Sequence, residues 1–246
     1  VVHHALELLW EEIVDHRTLT NMADDRLTEC VDKAVGAAIG EYSRQRPAVF
    51  TGRFTRLETR RLRELMREWL DRDRERAPFT VIGKEQKLAV EIGHIRLAAF
   101  ADRIDRLETG ELVIIDYKTG SPSPNDWFTD RIAEPQLPLY AVTVGTPLAG
   151  IFFGRVKKGE TAYLGIAASA GLVDGIKGVV DDNRHAKGYH SITGVVADWE
   201  GKLAAIAGEI SAGHAAVTPV SVHKTCRYCD LQPLCRIGEW QQATED

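Results

Sequence analysis

Two acidic residues and a lysine on neighbouring predicted strands have the types and spacing of a divalent-cation site. Asp116 and Lys118 are two residues apart in one β-rich run, and Asp105 lies near the end of the run before it. Side chains two apart in a strand share a face, so Asp116 and Lys118 point the same way. A tight turn at Gly110 would fold the two strands antiparallel and could bring Asp105 beside Asp116.

Such a site could hydrolyse a phosphodiester. Two facing carboxylates repel each other unless a cation lies between them, and Mg²⁺ prefers oxygen ligands. A water bound to that ion becomes more acidic and can attack phosphorus. Lys118 could orient the water or stabilise the transition state, and the backbone carbonyl of Tyr117 could add a ligand. The alternative is an ordinary hairpin with a plain Asp116–Lys118 ion pair, although Asp is disfavoured inside strands.

Three of the four cysteines lie close together near the C-terminus, in a C-x2-C-x5-C run formed by Cys226, Cys229 and Cys235. A scattered disulfide framework has a different pattern, so the run indicates a metal or cluster site in a reducing, cytoplasmic setting. Thiolates at this spacing suit a soft metal or an iron–sulfur cluster. A structural zinc site or a [4Fe–4S] cluster takes four ligands. The remaining cysteine, Cys30, is interpreted as a small core residue of a helix.

The elements that must position these residues follow from hydrophobic periodicity. The predicted helices cover 2–14, 24–44, 55–74, 127–142 and 196–213. The predicted strands cover 79–90, 95–107, 112–117, 148–155 and 161–167. This order predicts an α/β fold with a small central mixed β-sheet flanked by helices. We expect a single domain over 1–246, with a helical N-terminal part (1–78), a sheet core that carries the active site (79–217) and a Cys-rich tail (218–246).

Composition and charge exclude several classes of protein. The chain has 246 residues, of which 44% are hydrophobic and 27% charged, as in an ordinary globular protein. No apolar stretch is long enough to cross a membrane, and no signal peptide is visible. The net charge of −5 gives no general support for nucleic-acid binding, but nine arginines crowd between Arg53 and Arg76. Interleaved acids favour a solvated helix with i,i+4 ion pairs, and a phosphate-contacting face is the alternative.

The stretch from Asp105 to Gly120 resembles the D…(D/E)xK motif of the PD-(D/E)xK nuclease superfamily. The sequence DRIDR…IIDYKTG in this stretch is similar to the RecB- and AddB-type branch in particular. Other motifs of that branch follow in the right order: Gln136 and Tyr140 match QxxxY, His3 with Leu6-Glu7 matches an early His, and Glu85 matches a Glu on the first strand. The resemblance extends from His3 to Cys235.

One departure from the family pattern is Asp102, which stands where the family often has glycine. Asp102 is three residues from Asp105, so in a regular strand it points to the other face of the sheet. We therefore assign no catalytic role to Asp102 at this point.

The resemblance implies a role for each matching residue. Asp105 and Asp116 would bind Mg²⁺ or Mn²⁺, with His3 as an extra ligand, and Lys118 would assist the attacking water. Gln136 and Tyr140 would support the site or touch the DNA strand, and Glu85 would lie just behind the ligands. The alternatives are a surface His3 with His4 as its rival, helix packing for Gln136 and Tyr140, and a plain strand charge for Glu85.

The resemblance also implies a restriction-endonuclease-like fold and a metal-dependent deoxyribonuclease of DNA repair and recombination. It would act, as an exonuclease, on single-stranded or duplex DNA ends, together with a helicase domain or subunit. The alternatives are a catalytically inactive DNA-binding module of a helicase–nuclease complex and a zinc-stabilised interaction domain. The resemblance favours a [4Fe–4S] cluster on the tail cysteines, with a distant upstream cysteine as fourth ligand. Because the chain starts at Val1, we expect a piece of a longer protein that lacks that cysteine.

Overall fold

A five-stranded sheet in the order β1-β2-β3-β4-β5 forms the centre of the fold. The computed structural model describes residues 1–145, 147–182, 184–237 and 239. The strands are β1 (Phe79–Ile92), β2 (Ile95–Leu107), β3 (Leu112–Lys118), β4 (Leu148–Arg155) and β5 (Ala162–Ala167). Strands β3 and β4 are parallel, and the other neighbouring pairs are antiparallel. The sheet is therefore mixed, and the predicted restriction-endonuclease-like α/β class is confirmed.

The helices lie on both faces of this sheet. They are α1 (Val2–Ile13), α2 (His16–Asn21), α3 (Asp24–Gln45), α4 (Gly52–Arg74), α5 (Gln136–Val144), α6 (Ile192–Ser211), α7 (Val222–Thr225) and α8 (Gln232–Cys235). Short 3₁₀ turns cover Pro124–Trp127 and Val179–Asp181. Within the described ranges, no helix has both the length and the apolar composition that a bilayer crossing needs.

The start of α5 differs from the sequence prediction. The helix expected over 127–142 begins only at Gln136, after Pro135 at its N-cap position. Proline has no backbone N–H, and it pushes the residue before it away from helical dihedrals, so a helix cannot run smoothly through Pro135 from 127. The delayed start matters, because it places Gln136 in the first turn of α5.

Two hydrophobic cores hold the sheet between the helices. One lies against α1 to α4 and includes Trp10, Leu62, Trp69, Ile115 and Phe152. The other lies against α5 and α6 and includes Ile114, Trp127, Phe153 and Trp199. Successive residues of β3 point to opposite faces, so Ile114 and Ile115 enter different cores. Strand β3 is buried on both sides, and its end is held rigidly at the centre of the sheet.

Candidate active site

Asp102 and Asp116 are the two acidic residues that meet near the end of β3. The strand register pairs Arg103 with Ile115, so the preceding residue, Asp102, lies beside Asp116. Asp102 Oδ2 accepts a hydrogen bond from the backbone N–H of Tyr117 at 2.6 Å. The Asp116 residue is 1% exposed, and the Asp102 side chain is 8% exposed. Two nearly buried carboxylates therefore lie side by side.

Asp105 lies on the opposite face of β2, so the expectation that the turn brings it beside Asp116 is wrong. The hairpin closes with a hydrogen bond from the Leu107 N–H to the Glu111 carbonyl at 2.9 Å. That closure places Asp105 opposite Val113. Asp102 and Asp105 point to opposite faces of β2, as the strand period requires, and it is Asp102 that shares a face with Asp116. Sequence reasoning missed Asp102, and the length of the hairpin loop was the signal that could have found it.

Asp105 belongs to a buried ionic network. Its carboxylate accepts hydrogen bonds from Arg103 at 2.6 and 2.9 Å, and Arg76 Nη1 lies 2.8 Å from its Oδ2 atom. Arg103 also donates to Asp73 at 3.0 Å and to the hydroxyl of Tyr117 at 3.2 Å. The charges of two guanidinium groups and two carboxylates balance here, and all four side chains are buried. The network supports β2 and β3 from behind, on the face away from Asp116.

Lys118 is held at the rim of the site by a chain of hydrogen bonds. Its Nζ lies 2.7 Å from Asp116 Oδ2 and donates to Gln136 Oε1 at 2.8 Å. The Gln136 amide in turn donates to the Tyr140 hydroxyl at 2.8 Å, and that hydroxyl donates to the Phe100 carbonyl at 2.6 Å. Gln136 and Tyr140 are four residues apart and share a helix face. The first turn of α5 thus connects the lysine to β2.

His3 and Glu85 lie on the other side of Asp102. His3 Nδ1 is 3.4 Å from Asp102 Oδ2. One ligand atom each from His3, Glu85 and Asp102 all lie within 4.8 Å of one another. The rival His4 points elsewhere, because its two ring nitrogens lie 3.0 Å from Glu7 and 2.9 Å from Glu41. The structure therefore brings His3 and Glu85 to Asp102, and the charge of Asp116 also acts on His3.

The backbone of Glu85 is unusual. Its φ of 42° lies in the left-handed region, which side chains other than glycine rarely adopt. The residue falls between the pairs Lys84–Arg103 and Gln86–Ala101, and so beside Asp102. Such strain is retained where the surrounding structure enforces it, often at functional sites. Here it accompanies the approach of a third carboxylate to His3 and Asp102.

The site holds more negative charge than its own residues neutralise. Burial, followed by the charge of Asp102, raises the pKa of Asp116 to about 6, against the influence of Lys118 and His3. The hydrogen bond to Asp102 raises the pKa of His3, and burial raises that of Glu85. Asp116 Oδ2 is paired with the Lys118 ammonium at 2.7 Å, whereas Asp116 Oδ1 accepts no hydrogen bond among the described residues.

This donor set fits a divalent cation. An unsatisfied buried carboxylate is costly, and a bound cation would relieve that cost. Carboxylate oxygens suit Mg²⁺ and Mn²⁺, and an imidazole such as that of His3 is a ligand for transition metals. Tyr117 lies between Asp116 and Lys118 in β3, where its carbonyl could add a ligand. The candidate ligands are thus Asp102, Asp116 and His3, with Glu85 close by.

The tail cysteines lie away from this site. Cys226, Cys229 and Cys235 are free thiols in or beside the short helices α7 and α8. The tail packs towards α6 and is tied to the 3₁₀ turn by Lys224, whose Nζ donates to Asp126 at 3.0 Å. Cys30 is buried in the other core, where its thiol lies 3.4 Å from Glu12. The interpretation of Cys30 as a core residue agrees with this position.

Comparison with known proteins agrees with the geometry. A sequence profile of the PD-(D/E)XK nuclease superfamily matches residues 1–236, which include the whole sheet and every residue of the candidate site. No curated protein matches the chain closely enough to be counted as a relative. The profile match covers far more than half of the sequence. The chain, with its paired acids and lysine at the end of β3, therefore belongs to the PD-(D/E)XK nuclease superfamily.

Proposed function

We propose that the protein is a divalent-metal-dependent deoxyribonuclease whose centre is Asp102, Asp116 and Lys118. The observation that carries the proposal is the buried carboxylate of Asp116, whose Oδ1 atom accepts no hydrogen bond within the described chain and which lies beside a second carboxylate. The ion pair with Lys118 leaves Oδ1 buried without a donor, whereas buried polar groups are normally hydrogen-bonded. Membership of a nuclease superfamily supports the same reaction class.

In this proposal Asp102, Asp116 and His3 hold Mg²⁺ or Mn²⁺, with help from the Tyr117 carbonyl. When bound, such an ion polarises the phosphate and makes a nearby water more acidic. Asp102 takes the ligand role that the sequence had suggested for Asp105. Glu85 lies within ligand distance of His3 and Asp102, so it either completes the ligand set or accepts hydrogen bonds from its waters.

Lys118 has the geometry to act on the phosphate. Its ammonium group is held between Asp116 and Gln136, and its side chain is 29% exposed at the rim. An ammonium in this position can hold the attacking water or donate a hydrogen bond to an oxygen on which negative charge develops. Gln136 and Tyr140 position this ammonium, since their hydrogen bonds end on the backbone of β2.

The substrate and cellular role in the proposal rest on the similarity of the motifs to RecB- and AddB-type nucleases. We propose DNA ends, mainly single-stranded, as the substrate and exonucleolytic cleavage as the reaction. The setting would be cytoplasmic DNA repair and recombination, with a helicase domain or subunit as partner. An inactive DNA-binding module is the alternative, and the complete set of Asp102, Asp116 and Lys118 argues against it.

A direct assay tests the proposal. Linear single-stranded DNA, blunt duplex and circular single-stranded DNA would be incubated with Mg²⁺, with Mn²⁺ and with a chelator. We expect metal-dependent loss of the linear substrates, resistance of the circle, and loss of cleavage in Asp102→Ala, Asp116→Ala and Lys118→Ala. Asp71→Ala, which removes a carboxylate that is 64% exposed, serves as the control. Unchanged cleavage by a folded Asp116→Ala protein would overturn the proposal, and cleavage of the circle would overturn the exonuclease part.

We further propose that the three tail thiols are ligands of a [4Fe–4S] cluster, with zinc as the alternative. The support is their spacing and their separation from the hydrophobic cores. The described chain fits this group only in part: Cys30 packs against α1 on the opposite side of the sheet, so the fourth ligand must be another group. Iron, sulfide and zinc analysis after anaerobic purification separates the two metals. A protein that contains neither iron nor zinc, but has full Mg²⁺-dependent nuclease activity and full stability, would contradict both.

A further inference from the structure

The first turns of α4 extend past the end of the sheet at which the candidate site lies. Glu68 of α4 accepts hydrogen bonds from Gly159 at 3.1 Å and Thr161 at 2.8 Å, in the turn after β4. That turn lies at the level of Lys118, which pairs with Arg155 at the end of β4. From this level the helix continues back to Gly52 along α3, and at 1.5 Å per residue these residues span roughly 20 Å.

This projecting segment, Gly52–Glu64, lies on the His3 side of the site. Glu58 acts electrostatically on the amino group of Val1, so the first turn of α1 lies close to it. His3 is in that same turn and contacts Asp102 at 3.4 Å. A strand of DNA bound between Asp116 and His3 would therefore leave the site near the projecting segment.

The nine arginines from Arg53 to Arg76 differ in their partners, and Arg67 donates to the Thr28 hydroxyl. Those with an acidic partner are Arg61 (with Glu58), Arg63 (with Asp32), Arg72 (with Glu75) and Arg74 (with Asp71), at 2.6 to 3.2 Å. Arg76 is buried in the network around Asp105. Arg53, Arg56 and Arg60 are exposed, and in the part of the chain described by the structure they have no carboxylate within 4.0 Å.

The three unpaired arginines follow the spacing i, i+3 and i+7, so their side chains lie along one side of the helix. One guanidinium group can donate two parallel hydrogen bonds to a phosphate, and it stays charged at any working pH. The chain as a whole carries −5 charges and repels DNA, so binding needs a local concentration of positive charge. Phe54, which is 40% exposed, lies among these arginines and could contact an unstacked base.

We propose that Arg53, Arg56 and Arg60 form a phosphate-binding surface that holds the DNA strand outside the candidate site. The proposal rests on the proposed nuclease function for its choice of DNA. The sequence offered two interpretations of this arginine-rich segment, an ion-paired helix and a phosphate-contacting face, and each would then apply to a different part of it. From Arg61 onward the exposed face of α4 carries ion pairs, and the three arginines before it contact substrate.

Binding of a labelled single-stranded oligonucleotide, measured by fluorescence anisotropy in a chelator, tests this surface. The test variant is Arg56→Gln with Arg60→Gln, and the charge-matched control is Arg63→Gln with Arg72→Gln, which removes two ion-paired arginines from the same helix. Two lost phosphate contacts should reduce the slope of log K against log salt by about 1.4 and weaken binding about 25-fold at 0.1 M salt. The control should change neither, and circular dichroism should show both variants folded.

Cleavage by the same proteins separates this proposal from the proposed function. We expect the test variant to raise KM and to keep kcat at saturating DNA, because these arginines do not touch the reacting atoms. Full cleavage with an unchanged salt slope would overturn the arginine surface and leave the nuclease standing. A reduced salt slope in the test variant, with no cleavage by the wild type or by any variant, would support the arginine surface and overturn the proposed nuclease function. An equal loss of binding in the test and control variants would also overturn the surface.

Discussion

Asp102 accepts a hydrogen bond from the backbone N–H of Tyr117 at 2.6 Å, and this contact fixes the β2 carboxylate to the backbone of β3 at the residue between Asp116 and Lys118. The bond is made by only one of the two carboxylate oxygens. An Asp in this position therefore links the two strands and still has lone pairs available for a cation. Its neighbour along the strand, Arg103, points to the other face and joins the buried network.

Replacing Asp102 by Asn should abolish cleavage and leave the fold intact. The amide oxygen can still accept the Tyr117 hydrogen bond, but the charge that holds a cation is lost. We expect activity to fall on the order of 100-fold or more, together with weaker binding of Mg²⁺ or Mn²⁺. Metal titration by calorimetry, beside the nuclease assay, measures both effects. Wild-type metal affinity in this variant would remove Asp102 from the ligand set.

Replacing Asp105 by Ala should act on stability instead. It leaves Arg103 and Arg76 buried with less negative charge, and breaking a buried ion pair costs about 3 to 5 kcal/mol of unfolding free energy. Urea denaturation measures this loss. The fraction that remains folded should bind metal as the wild type does. A variant of normal stability that cannot bind metal would return Asp105 to the site.

Tyr140→Phe removes the hydroxyl that joins Gln136 to the Phe100 carbonyl. Lys118 then loses part of its positioning, and we expect kcat to fall about tenfold with little change in metal affinity, as for loss of one oriented group. Tyr189→Phe is the matched control, because its hydroxyl donates to Asp198 at 2.7 Å, away from the acidic pair. Equal losses of kcat in the two variants would show a general packing effect.

The pKa of Asp116 predicts how the metal-free protein responds to pH. Its pKa of about 6 in the folded state exceeds the ordinary 3.8, so between these values the native state binds more protons than the unfolded state. Stability from this group is therefore present at low pH and is lost as pH rises from about 4 to 6, by about 3 kcal/mol in total.

Asp116→Asn lacks this titration, which makes it the reference for the measurement. In a chelator, the variant should become more stable than the wild type by about 3 kcal/mol between pH 4 and pH 7, as measured by urea denaturation at each pH. Saturating Mg²⁺ should then stabilise the wild type selectively, because only its carboxylate binds the ion. A stability difference that is constant with pH would contradict the shifted pKa.

Patterns that depend on neighbouring residues were predictable. Helical periodicity gave α1, α3 and α4 to within a few residues, and strand alternation placed Asp116 and Lys118 on one face. The short helix α2 was missed, since its six residues contain little periodicity. The start of α5 was placed too early, because Pro135 outweighs the apolar pattern before it.

The sequence by itself determined the fold class, the position of Asp116 and Lys118 on one face of β3, and the presence of a helix that carries Gln136 and Tyr140, because these depend on local periodicity and spacing. Only the tertiary structure decided that Asp102, and not Asp105, lies beside Asp116. The strand register depends on how the hairpin closes. The role of each acid also depends on whether a buried cation lies next to it. For Asp105 one such cation is Arg76, beyond the end of α4, and no local pattern in the sequence reports this contact.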